Sequence, residues 1–179
     1  MRTSSNAIKA ALLVVFCLCS GSAFAEDPVT KSIVFLSASY GYIDYDNDRD
    51  LKDRDMGGVA LGLHFNRKWS ASLFYSRSHP DSELGGSDRF ENYYAQGKYY
   101  WRSEDSLRPY VVVGLGEMLG AEGKAYSDTV FHTGIGLHWT LQPKWALQLD
   151  YRYFKGFGDG FVDQTLMSTI VYRFAEGEK

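Results

Sequence analysis

The residues of this chain with the most chemistry to offer are four histidines, His64, His79, His132 and His138, and a run of carboxylates near residue 50. His79 lies among Ser76, Ser78, Asp81, Ser82 and Glu83, from which a nucleophile, a base and an orienting acid could be drawn. These are also ordinary connector residues, and no tight His-x-Ser spacing falls on a strand-like face, so the expectation is that the chain is not an enzyme. Asp44, Asp46, Asp48, Asp50, Asp53 and Asp55 form an oxygen-rich set of the kind that suits Ca²⁺. Counted from Asp44, however, an EF-hand would need Gly where Arg49 stands and Glu where Asp55 stands. Arg49, Lys52 and Arg54 neutralise the segment from within, so a solvated loop without a bound metal is expected. There is no P-loop pattern and no His-Glu-x-x-His, and Gly114-x-Gly116 sits in a strand-like run. No cofactor is expected.

A second set is more telling because of its spacing. Lys98, Asp150, Arg152 and Arg173, with Gln96, Gln148, His64, His132 and His138, occupy alternate positions within runs of period two. That period belongs to strands with two unlike faces. The bulk composition agrees. Hydrophobic residues make up 45% of 179, aromatics 16% and charged residues 23%, with 18 Gly and only 4 Pro. So aromatic-rich a chain is not disordered, and it has neither the glycine period of collagen nor the composition of a coiled coil. A net charge of -3 speaks against a nucleic-acid partner.

Residues 1–25 read as a cleaved signal peptide. Arg2 and Lys9 give a positive start, Ala10 to Cys19 a short apolar stretch, and Ala23-Phe24-Ala25 a small-x-small cleavage site. Cys17 and Cys19 fall inside it, so residues 26–179, expected to form one domain, contain no thiol for a disulfide or for zinc.

Eight alternating runs can be marked, at 32–43, 57–66, 68–77, 90–101, 108–118, 129–140, 144–154 and 163–174. One face is bulky and apolar: Val59, Leu61, Leu63 and Phe65 in the second run, Trp145, Leu147, Leu149, Tyr151 and Tyr153 in the seventh. The other carries Gly, Ala and Ser with isolated polar groups, with Phe35 and Phe74 as misfits. Small residues fit a narrow concave interior, and bulky ones suit lipid. A membrane-spanning strand takes about 9–11 residues, and only a closed barrel leaves no backbone edge unsatisfied in a bilayer.

The connections alternate in length: 44–56, 78–89, 119–128 and 155–162 are long, and 66–67, 102–107 and 141–143 are shorter. Trp69, Trp101, Trp139 and Trp145 all fall at the short-turn ends and on the apolar face, joined there by Tyr172 and Phe174, which is the layout of an interfacial aromatic girdle. Tyr40, Tyr42, Tyr75, Tyr93, Phe131, Tyr151 and Tyr153 would make the opposite rim. The expected fold is therefore all-β, an eight-stranded antiparallel up-and-down transmembrane β-barrel. A soluble sandwich would not gather every Trp at one rim, and a soluble carrier barrel would need a less charged lumen. Inside, Asp150 is expected to neutralise Lys98, Arg152 or Arg173 in an ionic network, because unpaired buried charge is costly.

The chain resembles the eight-stranded outer-membrane β-barrel family typified by the OmpA transmembrane domain. The resemblance is carried by Ala23-Phe24-Ala25, by Ser39-Tyr40-Gly41-Tyr42, by Pro109-Tyr110-Val111-Val112-Val113-Gly114-Leu115-Gly116 and by the closing Val171-Tyr172-Arg173-Phe174. It spans nearly all of 26–179, and that family's peptidoglycan-binding domain is not expected here. It implies an outer-membrane location in a Gram-negative bacterium and a salt-bridged interior. It further implies contact with lipid and lipopolysaccharide, and insertion by the barrel-assembly machinery with periplasmic chaperones. The expected role is structural or surface-interacting, in envelope integrity, adhesion or host contact, for a monomer whose loops could take an extracellular ligand. The alternatives are a lipid A-modifying enzyme and a narrow gated pore.

Overall fold

In a computed structural model the described residues are 32–46, 53–79, 90–102, 105–120, 127–158 and 160–174. The signal-peptide segment, residues 47–52 of the acidic first loop with Asp48 and Asp50, Asp81, Ser82 and Glu83 beside His79, and residues 175–179 lie outside them. Eight strands follow one another: β1 (Ile33–Asp44), β2 (Arg54–His64), β3 (Trp69–Ser78), β4 (Phe90–Tyr100), β5 (Leu107–Gly120), β6 (Ser127–Gln142), β7 (Trp145–Gly156) and β8 (Val162–Arg173). Each pairs antiparallel with the next, and β8 returns to β1 with Phe35 opposite Arg173, so the sheet closes on itself. The backbone amide of Phe174 donates to the carbonyl of Val34 at 3.0 Å, completing the seam at the short-turn end.

Period-two alternation becomes inside and outside. Leu36, Leu61, Leu73, Leu115, Ile135, Leu149 and Ile170 stand on the outer wall, and Ile135 is 66% exposed to the surroundings. Ser37, Ser72, Gln96, His132, Asp150, Arg152 and Thr169 are buried in the lumen. In water such a wall would be untenable. In hydrocarbon it is the favoured surface, and the closed ladder satisfies the backbone.

Two features depart from the pattern read in sequence. The lumen is not lined mainly by small groups, since Phe35, Phe74, Phe90, Tyr94, Tyr100, Tyr110 and Phe154 all point inward and are buried. Phe35 and Phe74 are thus regular members of the inner face. Glycines on facing positions make the room: a Cβ at Gly136 would lie 2.5 Å from Tyr110 Cζ, and one at Gly58 2.6 Å from Phe74 Cζ. Large and small residues therefore alternate to fill a narrow tube. The strands also run past the apolar alternation. β2 starts at Arg54, and β5 and β6 hold their register from Leu119 opposite Ser127 to Leu107 opposite Trp139. A hairpin standing in water needs its ladder but no lipid-facing side chains, so hydrogen bonding continues where hydrophobic patterning stops.

The short turns are built locally. Asn66 Oδ1 accepts from the backbone amides of Lys68 and Trp69, each at 2.8 Å, which closes the β2–β3 turn. Pro143 and Lys144 make the β6–β7 turn, with a register shift between Thr140 and Gln142.

Candidate functional site

In the lumen, buried titratable groups converge from several strands. Lys98 comes from β4, Asp150 and Arg152 from β7, and Arg173 from the end of β8. Asp150 and Arg152 are i, i+2 neighbours on one face of one strand, so alternation alone sets them side by side. Arg152 Nε donates to Asp150 Oδ1 at 2.5 Å and its NH2 to Oδ2 at 3.2 Å. Tyr110 Oη donates to the same Oδ2 at 2.6 Å. Arg152 NH1 reaches Gln96 Oε1 at 2.8 Å, and Gln96 Nε2 donates on to Ser72 Oγ at 2.9 Å. The guanidinium also lies over the Phe74 ring at 5.5 Å. Both charges are 1% exposed, and the pair is tied to three strands. A buried pair survives only when its remaining donors and acceptors are met, and here they are.

Lys98 and Arg173 do not join Asp150 by direct contact. Lys98 Nζ donates to Gln148 Oε1 at 2.5 Å and lies 4.8 Å over the Tyr110 ring. Because Lys98 can only donate, Gln148 must offer its oxygen there and its amide hydrogens to His138 Nδ1, 2.9 Å away. The His138 proton then sits on Nε2. Arg173 NH2, 3.3 Å from that nitrogen, faces a donor, and its hydrogen bond goes to Thr140 Oγ1 at 3.2 Å. The four charges expected from sequence thus divide into an Asp150–Arg152 pair and two cations held by neutral groups.

Above the pair, toward the long loops, the lumen is closed by rings. Phe74 stacks on Tyr94 (centroids 5.5 Å, planes 13° apart), and His132 on Phe154 (5.1 Å, 29°). His64, His132 and His138 are all buried inside, and His79 stands exposed after β3. Tyr110 and Arg108 are among the lumen residues that escaped the sequence reading. Stepping back by twos from Val112 reaches both, so the signal was present in the alternation of β5.

On the outside the girdle residues are grouped at the short-turn end. Trp69 packs on Tyr99 at 4.7 Å, Tyr99 on Trp101 at 5.4 Å, Trp145 on Tyr172 at 4.9 Å and Tyr172 on Phe174 at 5.3 Å. Trp139 is exposed on the same rim at the end of β6. At the other rim Tyr75 meets Tyr93 at 5.0 Å and Tyr151 meets Tyr153 at 5.2 Å. No group of His, Cys, Asp and Glu arranged to hold a metal occurs among the described residues.

Comparison with solved structures finds the same barrel. Neisserial surface protein A is similar with a TM-score of 0.64 and 14% identity, covering 80% of this chain and 97% of that one. The N-terminal β-barrel domain of Pseudomonas aeruginosa OprF gives 0.54 and 16%, covering 78% and 97%. Ail of Yersinia pestis gives 0.53 and 18%, covering 80% and 97%. No curated protein matches the chain by sequence. The profile of the family described as outer membrane protein beta-barrel domain matches residues 10–174. With eight strands closed into one barrel, an apolar wall and that match over most of its length, the chain belongs to the outer membrane protein beta-barrel domain family.

Proposed function

We propose that this protein is a non-conducting barrel of a Gram-negative outer membrane that works through its surface, in adhesion, host contact or envelope integrity. The observation that carries this reading is the filled lumen: the Asp150–Arg152 pair, bonded to Gln96 and Tyr110, lies beneath stacked Phe74, Tyr94, His132 and Phe154. Paired charge and packed rings fill the tube, which favours the wall and the loops as working surfaces. Ladders of β5 and β6 that continue past the apolar band would raise their loop clear of the lipid headgroups. The non-enzymatic reading is supported by the inward aim of His64, His132 and His138, and by the burial of Ser76 and Ser78 in the lumen, away from exposed His79.

Planar-bilayer recording of the purified protein tests the plug, and electrical silence across salts and voltages is expected. Steady ion-selective conductance would transfer the case to the narrow pore. Binding of cells expressing the protein to host surface preparations, with and without replacement of residues 79–89 and 121–126 by short Gly-Ser turns, tests the surface role. Equal binding by both would sink adhesion and leave envelope integrity, read as detergent sensitivity of a deletion strain.

A further inference from the structure

Three cationic or donor side chains converge at the short-turn mouth of the lumen, each at the end of its strand. His64 closes β2, Arg108 is the second residue of β5, and Arg173 closes β8. All three are more than nine-tenths buried. Arg108 lies 5.0 Å over the Tyr100 ring, His64 5.8 Å from that ring, and His138, which Arg173 approaches, 5.4 Å from it. Tyr100 and His138 thus form one floor on which the three groups stand. Arg108 NH1 donates to the carbonyl of Arg67 at 3.2 Å and Arg173 NH2 to Thr140, but Arg108 Nε, Arg173 Nε and His64 Nε2 are buried with no acceptor. Lys98 adds a further charge from deeper in the lumen, its hydrogen bond going to Gln148, while Asp150 bonds directly to Arg152 and Tyr110. Among the described residues at this end the one carboxylate is Asp105, exposed and 3.9 Å from Arg102.

Buried donors without acceptors and cations without counter-charge are expensive, and one group of opposite sign with several oxygens would relieve both at once. We propose that the short-turn mouth of the lumen is a binding site for a small oxyanion of phosphate or carboxylate type, held by Arg108 and Arg173 with His64 as a third donor. This is separate from the surface role proposed above and needs only the barrel. The oxyanion has two sources, the periplasmic solution or the chain's own carboxylates in 175–179, where Glu176 and Glu178 follow Arg173 closely.

The test uses the full chain refolded in a phosphate-free maltoside detergent, with inorganic phosphate as probe and chloride at matched ionic strength as control. In ¹⁵N spectra the Nε–H signals of Arg108 and Arg173 should shift saturably with phosphate, while that of Arg152 stays still. R108Q and R173Q should each weaken binding by about 10-fold or more, the size expected for loss of a charge-assisted hydrogen bond. H64Q should weaken it less. If solution anion is the source, E176Q/E178Q binds phosphate as the wild type does. If the tail is the source, that variant binds several-fold tighter. Either result supports the site. Should an arginine variant fail to give the gel shift of a folded barrel, the wild-type signals and H64Q decide. Absence of saturable shifts in both the wild type and E176Q/E178Q, or undiminished binding by folded R108Q and R173Q, would overturn the proposal.

Discussion

The two ends of the lumen solve the same problem in opposite ways. Toward the long loops, Arg152 has a carboxylate, an amide and an aromatic face, and rings seal it from above. Toward the short turns, Arg108 and Arg173 have a backbone carbonyl, a hydroxyl and a ring, and no carboxylate. The first arrangement is self-sufficient and so behaves as structure. The second leaves charge for something else to answer. Buried charge in a barrel is therefore not one kind of feature, and its count says less than its partners do.

Four experiments can break or sharpen that contrast, each read by denaturant unfolding of the protein reconstituted in lipid vesicles, with Trp fluorescence and gel mobility as probes. The largest effect should come from Asp150→Asn, which strands Arg152 in the sealed half and should cost about 3–5 kcal/mol. A loss below about 1 kcal/mol would mean that water reaches the pair. Next, Leu73→Arg puts a charge on the lipid-facing wall between Trp69 and Tyr75, and should cost about 2–4 kcal/mol. No loss there would contradict the inside-out orientation itself. Trp145→Ala removes one girdle ring from its contact with Tyr172, and should cost about 1 kcal/mol. The smallest change belongs to Arg173→Met, which should leave stability within about 1 kcal/mol of wild type in phosphate-free buffer, because little on the protein is lost with the charge. A penalty there as large as that of Asp150→Asn would erase the distinction between the ends.

Much of this was legible in the chain, for a physical reason. Lipid outside and a filled tube inside impose opposite demands on successive residues, so alternation over Trp145 to Tyr153 or Phe131 to Trp139 specifies strand and sidedness together. The aromatic rims follow from the same geometry, since Trp69, Trp101, Trp139 and Trp145 can share one depth only if the strands run up and down. What could not be read was which buried groups meet. Asp150 lies among three candidate cations, and the choice of Arg152 depends on sheet twist and on Tyr110 and Gln96 arriving from β5 and β4. Phe35 and Phe74 looked misplaced because each is matched to a glycine on a neighbouring strand, Gly62 and Gly58, and such cross-strand fitting leaves no trace along a single segment. Strand ends were missed for the converse reason: beyond the apolar band, the backbone ladder holds Arg54 or Leu119 in place with no periodic signature.

Closure between β1 and β8 has a bearing on how such a chain comes into being. The partner of Phe35 is Arg173 and that of Leu36 is Tyr172, so the earliest strand waits for the latest before its second edge is covered. Synthesis therefore yields a long interval in which a greasy ribbon has two sticky borders. A frameshift costing residues 162–179 would leave seven strands and no cylinder at all.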